Sequence, residues 1–514
     1  MLKSIYPIFF QGGLGMDLKK IINKKEEAAQ YMVDEITYIC KTFEKRAPGS
    51  VGEKQACDYM AKVLKEQCGC ERADVESFKE NPGSFFGWVY FTITFVLLAI
   101  PLFFVLPILS ILLILAGLFV VFMQFGLYKK LIDRCFPEKT GHNVTAVKKC
   151  TGEVKRRIFF NGHPDAAWEW PVNYKLGGVG FEGHAILCGA GAMYYMVLSI
   201  IAIVQNGFGV NVLSTDSSLC VAGLWGLLFV PFLIGLYWIR NAHRIVDGAN
   251  DNLSGCYMGI AILKELEEAG IEFENTEVGV ILTGSEEAGL RGAKAWCEQH
   301  KGEFDDVPTF IISYDTIHDP KYLMTNYRDL NGAVKADKDV SDLFMEAAAA
   351  LDIPCKKGWV PPLGGATDSA AFAQAGLRST GITGLNHKLE DYYHTRRDTY
   401  DNMNLEGLAG CFAASVKALY MFHKGEKHYP TAFVILKRIK PNTAGCIRQP
   451  AVPLLYFRLF YCPTQPFLYI KCAESMEITT PTGMSTPVAS VPLNSSKITI
   501  AAIGTKASFQ CFIK

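Results

Sequence analysis

The 514-residue chain lacks an excess of charge of either sign: 51 lysines and arginines face 51 aspartates and glutamates. It also lacks any basic stretch interleaved with aromatics. Together these absences remove the electrostatic footprint of a nucleic-acid binder, and no nucleic-acid partner is expected. Its 16 cysteines include no CxxC pair, which excludes a zinc ribbon or a thioredoxin-type redox site. They are scattered, with one CxC at Cys68 and Cys70, and read as mostly free thiols in a reducing compartment. The N-terminus lacks an apolar stretch long enough for a cleaved signal peptide. Residues 6–10 are apolar, but no small-residue cleavage site follows. Residues 1–15 read as an extension ahead of an ordinary helical sequence opening at Met16.

A local absence says more. Residues 85–125 contain no charged side chain. One membrane span needs about 20 apolar residues, so this run has the length of two, with Pro101 or Pro107 near the turn. Residues 185–204 and 219–239 form a second pair, joined by a polar, glycine-containing connection. The mean hydropathy of +0.15 is high for a soluble enzyme, and these runs account for it. Both pairs read as hairpins, which leaves every long polar segment on one side of a bilayer. Lys129, Lys130, Arg134, Arg240 and Arg244 flank the spans, and the short connections carry no lysine or arginine. The positive-inside rule then places the polar mass in the cytoplasm. An Asn-Val-Thr sequon at Asn143 is a weak signal for the opposite topology.

Elsewhere strand and helix alternate. Residues 157–160, 278–282 and 310–313 are short apolar runs with β-rich composition. Residues 17–70, broken at 46–50 with Ser50 as an N-cap, and residues 254–266, 290–299 and 341–351 have helical spacing. This alternation predicts an α/β fold, a three-layer sandwich with a mostly parallel or mixed central sheet, interrupted by the two transmembrane hairpins. After about residue 425 the character changes. Residues 427–514 hold ten lysines and arginines against two acidic residues and are rich in Pro, Thr and Ser, so that tail is assigned no structure.

Chemistry-bearing residues gather where strand-like runs end. In IFFNGHPD (158–165) a strand delivers His163, and Asp165 follows. A metal-bound imidazole usually gives its second N–H to a carboxylate or carbonyl, so Asp165 suits an orienting role. In VDGANDNLSG (246–255) a polar loop leads into a helix. Asp251 there can bridge two metals with its two oxygens, or Asp251, Asn252 or Ser254 can simply cap the helix. In VGVILTGSEEAGLRG (278–292) a buried strand ends in two adjacent carboxylates, Glu286 and Glu287. One can ligate while the other takes a proton from water; a solvated helix start is the bland alternative. Asp315 follows the strand FIISY, and His394 lies in DYYHTRRDTY (391–400). In GGATDS (364–369), Asp368 can stand behind the ligands. Trp168 and Trp170 follow His163 closely and can line a pocket or sit at a membrane interface. His142, His184, His243, His318 and His387 lie outside these motifs and read as structural or surface residues. A GxGxxG at 178–183 has no strand before it and leads into an apolar span, so it is not read as a dinucleotide site.

The ordered set, opened by RAPGSVGEK (46–54), resembles the co-catalytic di-zinc exopeptidases, the family of bacterial leucyl aminopeptidase, aminopeptidase Y and glutamate carboxypeptidase. The likeness runs over roughly residues 30–425 outside the apolar insertions, which make this a membrane-embedded member. The resemblance implies two Zn²⁺ ions. His163 and Asp315 would bind one, Glu287 and His394 the other, and Asp251 would bridge them. Glu286 would be the general base, and Asp165 is taken as the second catalytic residue, orienting His163. It also implies a cis peptide after the bridging aspartate.

On this reading residues 1–84, 128–184 and 241–425 build the peptidase domain. Residues 85–127 and 185–240 form the two hairpins, and residues 426–514 the tail. The expected activity is aminopeptidase hydrolysis of peptide substrates by a multi-pass integral membrane protein with the lipid bilayer as its other partner; no oligomeric state is read. A carboxypeptidase or other amidohydrolase on the same metals is the first alternative, with Arg291, Arg396 or Arg397 meeting a substrate carboxylate. A non-catalytic membrane scaffold is the second.

Overall fold

In the computed structural model the described residues are 13–386 and 390–425. The expected N-terminal extension lies almost wholly outside them, as do His387 and the tail.

Eight strands form one sheet. In chain order they are β1 (Arg72–Glu80), β2 (Lys139–Lys148), β3 (Arg156–Gly162), β4 (Thr276–Thr283), β5 (Thr309–Ile317), β6 (Met324–Asn326), β9 (Lys356–Gly358) and β10 (Arg378–Gly384); β7 (Arg328–Asp329) and β8 (Val334–Lys335) pair separately. The sheet order is β1-β2-β4-β3-β5-β10-β6-β9. The central strands β4, β3, β5 and β10 run parallel, and β2 and β6 flank them antiparallel. The sheet is therefore mixed, as the sequence predicts.

Successive side chains on a strand point to opposite faces. On β3, Ile158 and Phe160 enter one apolar core and Phe159 the other. The first core receives the helices Lys25–Thr42, Val51–Glu66, Ser254–Glu268, Lys338–Ala349 and Leu405–Lys424; the second receives Arg291–Gln299 and Asp368–Gln374. Both faces are covered, which gives three layers and explains why the central strands read as continuous apolar runs. Ser50 caps its helix as expected, accepting from the Glu53 N–H at 3.2 Å.

Strand β2 was not legible in the sequence. Its Asn143 is buried, donates to the Gly292 carbonyl (3.1 Å) and accepts from the Gly284 N–H (3.0 Å). A sequon locked into a strand this way is no glycan acceptor in the folded chain, so it carries no argument about topology. The GxGxxG at 178–183 lies inside a helix with no strand before it. The cysteines among the described residues are free thiols.

Among the described residues, five helices are long and apolar enough to cross a membrane by length and composition. One of them, Leu405–Lys424, is 72% buried and packs within the sandwich core, so it is a core helix. The other four form the two hairpins. Ser84–Val105 and Pro107–Gly126 make the first, with Leu106 as the turn. The second has a first leg, Pro171–Asn206, that starts earlier than expected. Pro171 suits the first helical position, and Gly177 breaks the helix geometry at φ +67°. The polar turns before that kink lie on the α/β sandwich, where Asn173 donates to the Tyr393 carbonyl at 2.8 Å. The second leg, Ser217–Trp238, is broken into α and 3₁₀ turns. Both hairpins expose large apolar side chains, among them Leu112, Phe119, Ile200 and Leu228.

Candidate metal centre

Parallel strands in adjacent positions deliver their following loops to one edge of the sheet, where open α/β folds build their sites. His163 follows β3, Glu286 and Glu287 follow β4, and the His394 loop follows β10. Asp315 lies within β5, which continues to Ile317, rather than after it. The close approach of β3 to the helix Ser254–Glu268 needs a glycine: a Cβ on Gly162 would sit 2.5 Å from the Cys256 nitrogen.

The predicted residues converge. His163 Nε2 is 3.3 Å from Asp251 Oδ1 and 3.8 Å from Glu286 Oε2. His394 Nε2 is 3.0 Å from Asp251 Oδ2 and 3.1 Å from Glu287 Oε1. Two donor groups result, His163–Asp251–Asp315 and Asp251–Glu287–His394, each with ligand atoms within 4.8 Å of one another. Asp251 belongs to both. Although Asp251 Oδ2 and Glu287 Oε1 lie this close to an imidazole, neither makes a hydrogen bond. Lone pairs in contact without hydrogen-bond geometry aim at a common point between them, as ligands of a cation do. Imidazole nitrogen with carboxylate oxygen is also a donor set that zinc accepts.

Electrostatics agree with that fit. Burial pushes the Glu286 carboxyl well above its usual range against the opposing pull of His163, and the neighbouring Glu287, Asp315 and Asp368 carboxylates add to the rise. Burial and Asp251 do the same to Asp315. Burial lowers the pKa of His394, but the Glu287 and Asp251 carboxylates overcome it and raise the imidazole to about 10. Asp251 alone is held below the usual carboxylate range: against burial, its contacts with His163 and His394 keep it ionised. Too many acids face too few cations, and divalent ions would balance them.

Residues that sequence reasoning passed over hold this arrangement. Asp165 was expected to orient His163 and lies 3.4 Å from its Nδ1. Its hydrogen bonds, however, run to the backbone N–H groups of Glu286 and Glu287, 3.0 Å each. Asp398 accepts from the N–H of Asn250 (2.8 Å) and of Asp251 (3.1 Å), fixing the loop that carries Asp251. Asn252 donates to the Tyr314 carbonyl at 2.8 Å, and its carbonyl oxygen accepts from the Gly255 and Thr316 N–H groups. This ties the Asp251 loop to β5 beside Asp315. The Asp251–Asn252 peptide is cis, as the resemblance implies. Buried Arg46, the first residue of RAPGS, donates to the carbonyls of Pro164 (2.7 Å), Asp247 (2.6 Å) and Gly248 (2.9 Å). One guanidinium thus joins the loops of His163 and Asp251. Asp368 stands behind the site as expected, accepting from the Thr283 hydroxyl at 2.5 Å.

The hairpins reach the same edge. Trp170, at the head of the second hairpin, packs edge-on against the His394 ring at 4.3 Å between centroids, and its backbone N–H donates to the His394 carbonyl at 2.8 Å. Trp168 packs instead in the second core, under Arg240. The three arginines considered for a substrate carboxylate are engaged elsewhere. Arg291 pairs with Asp133 (2.9 Å), and Arg396 makes two hydrogen bonds to Glu169 (2.6 and 2.8 Å). Arg397 donates to the carbonyls of Tyr174 and Asp391.

Residues 238–419 match peptidase family M28. A search among curated proteins finds no match. Solved structures similar to this chain include a zinc aminopeptidase from Bacillus subtilis, at 13% identity over 77% of this chain and 95% of that one, with a TM-score of 0.46. They also include an aminopeptidase from Aneurinibacillus sp. strain AM-1, at 14% identity over 78% and 95%, with a TM-score of 0.45. The LapA aminopeptidase of Legionella pneumophila is similar at 11% identity over 82% and 78%, with a TM-score of 0.43. Asp251, Glu286, Glu287, Asp315 and His394 all fall inside the matched span and meet His163 at one sheet edge, and on that ground the chain is a metallopeptidase whose residues 238–419 are similar to peptidase family M28.

Proposed function

We propose that the chain is a membrane-embedded, zinc-dependent aminopeptidase with two metal ions and a cytoplasmic catalytic domain. The observation that carries the metal assignment is the sharing of Asp251 by two donor groups. On this reading His163 and Asp315 would hold one Zn²⁺ and Glu287 and His394 the other, with Asp251 common to both donor groups. When bound, the ions supply Lewis acidity toward the scissile carbonyl and lower the pKa of water toward about 7.

The rest is done by side chains. Glu286, held in place through its backbone by Asp165, receives the proton of the attacking water. As the C–N bond breaks, it returns that proton to the departing amine. Arg396 is engaged by Glu169 and Arg397 by two backbone carbonyls, while Arg291 faces a cavity that no metal-centre donor lines; with none of the three turned to the metal centre, an aminopeptidase is supported over a carboxypeptidase. The apolar hairpins support membrane insertion, and Lys129, Lys130, Arg134, Arg240 and Arg244 at their polar ends support a cytoplasmic orientation. Trp170 against His394 brings a hairpin to the rim of the site, which supports an apolar or membrane-proximal peptide as substrate.

The test is metal content together with hydrolysis of free-amino and N-blocked peptides by the detergent-solubilised chain. Two zinc ions per chain and cleavage confined to free-amino peptides are expected. Cleavage of N-blocked peptides alone moves the assignment to a carboxypeptidase or amidohydrolase. No metal and no turnover leave a scaffold.

A further inference from the structure

The foot of the first hairpin encloses a polar cavity of about 320 Å³. Lys79 and Glu80 line it from the chain entering the hairpin, and Lys130, Asp133 and Arg134 from the chain leaving it. Arg291 closes it from the helix that follows the Glu286–Glu287 turn. None of the metal-centre donors lines it.

Arg291 is 2% exposed, yet only one of its nitrogens is matched. Nη2 donates to Asp133 (2.9 Å) and to the Ser84 hydroxyl (3.4 Å). Nε and Nη1 have no partner. A guanidinium has five N–H donors and never loses its charge, so three N–H bonds of a buried cation stand open beside a cavity. Asp133 does not answer them: its hydrogen bonds from Arg291 Nη2, the Ser84 hydroxyl (2.7 Å) and the Gln124 amide (3.2 Å) all converge on Oδ1, and neither of its oxygens accepts from Nε or Nη1. Glu80 is the other acid. Burial raises its pKa to about 8, so at neutral pH it is mostly protonated and can donate through Oε2, an oxygen with no partner. Lys79 is paired with Glu138 at 3.4 Å, and Lys130 and Arg134 complete a lining whose remaining charge is positive.

We propose that this cavity holds the phosphate group of an anionic lipid headgroup. Phosphate accepts hydrogen bonds from arginine strongly, and basic pockets at span ends on the cytoplasmic side are where such headgroups bind. The cavity sits where the chain enters and leaves the first hairpin, which is headgroup level if that hairpin spans. A bound phosphate would satisfy Arg291, whose backbone N–H is bonded to the Ser285 carbonyl at 3.1 Å, and so would brace the turn carrying Glu286. The assignment rests on the membrane reading of the hairpins.

Thermal unfolding of the full chain in neutral detergent tests it, with dihexanoyl phosphatidylglycerol, dihexanoyl phosphatidylcholine and inorganic phosphate added separately. Wild type should gain several degrees with the glycerol lipid and clearly less with the other two. The double variant Lys130→Gln/Arg134→Gln, altered at two exposed positions, should lose that gain. No gain in wild type, or an undiminished gain in the variant, overturns the site. An equal gain with inorganic phosphate makes it a free-phosphate site and overturns the lipid. A carbonate wash of membranes carrying the chain checks the hairpins separately. Release of the chain would sink the membrane reading, whereas retention without a lipid effect would sink this proposal alone.

Discussion

The carboxylate of Asp165 accepts the backbone N–H of Glu286, and its second oxygen accepts that of Glu287, at 3.0 Å each. One buried side chain, two residues past His163, thereby sets the position of both glutamates across the β3–β4 gap. Asp165→Asn keeps one acceptor and turns an NH₂ toward the other N–H. Losing a charge-assisted hydrogen bond of this kind costs about 2 kcal/mol. A lower Tm and reduced turnover are expected together, and a variant equal to wild type in both would contradict the clamp.

Glu286→Gln removes the proton acceptor without changing shape. Turnover of a free-amino peptide should fall by about 10²–10⁴-fold, the usual contribution of general acid–base catalysis. Metal content should stay at the wild-type level. Loss of metal in this variant would make Glu286 a ligand instead.

Asp251→Ala removes the one side chain common to both donor groups. Bound metal should fall toward zero, not by half, as read by elemental analysis of the purified chain. Chelation of wild type should lower its Tm, because the clustered carboxylates lose their counter-ions, and added Zn²⁺ should restore it. A chain that keeps one full equivalent of metal after Asp251→Ala would refute the bridging role.

Arg46→Ala leaves the carbonyls of Pro164, Asp247 and Gly248 without their donor in a buried site. A loss of about 3 kcal/mol or more is expected from the unpaired acceptors and the void. Arg46→Lys should recover little, since an ammonium cannot reproduce the planar fork. Denaturant midpoints of the two variants measure this directly.

His423 sets a pH dependence away from the metal centre. Burial, then Lys424 and Arg156, lower its pKa to about 4, while its Nδ1 lies 2.9 Å from the Thr276 hydroxyl. The unfolded imidazole titrates near 6.5, so between these values the unfolded chain binds the extra proton. Its contribution is therefore fully present above pH 6.5 and is lost as pH falls toward 4. The drop in Tm from pH 7 to 5 should be smaller in His423→Gln than in wild type. Equal drops would remove His423 from the account.

The central strands were legible because a sheet covered on both faces needs continuous apolar runs, and residues 158–160, 278–282 and 310–313 are such runs. The antiparallel strand β2, between β1 and β4, was not. It mixes polar and apolar residues, and its Asn143 finds its partners at Gly284 and Gly292, far along the chain. The hairpins were legible from the absence of charge, but the start of the second was not, since the turns from Pro171 to Gly177 are polar and dock on the His394 loop. Composition alone would also have made Leu405–Lys424 a span; packing in the core makes it a helix of the sandwich.

What the sequence determined by itself was the chemistry: two imidazoles and four carboxylates, each placed near the end of an apolar strand or in a polar loop, where a chain emerging from the core must present its polar groups. Tertiary structure decided which of them share a point in space and what keeps them there. Arg46, Asp398 and Asn252 carry no local signal, because a hydrogen bond to a loop more than sixty residues away leaves no periodicity in either segment. Only the parallel order of β4, β3, β5 and β10 brings those loops to one edge, and with them the donors that a pair of metal ions would need.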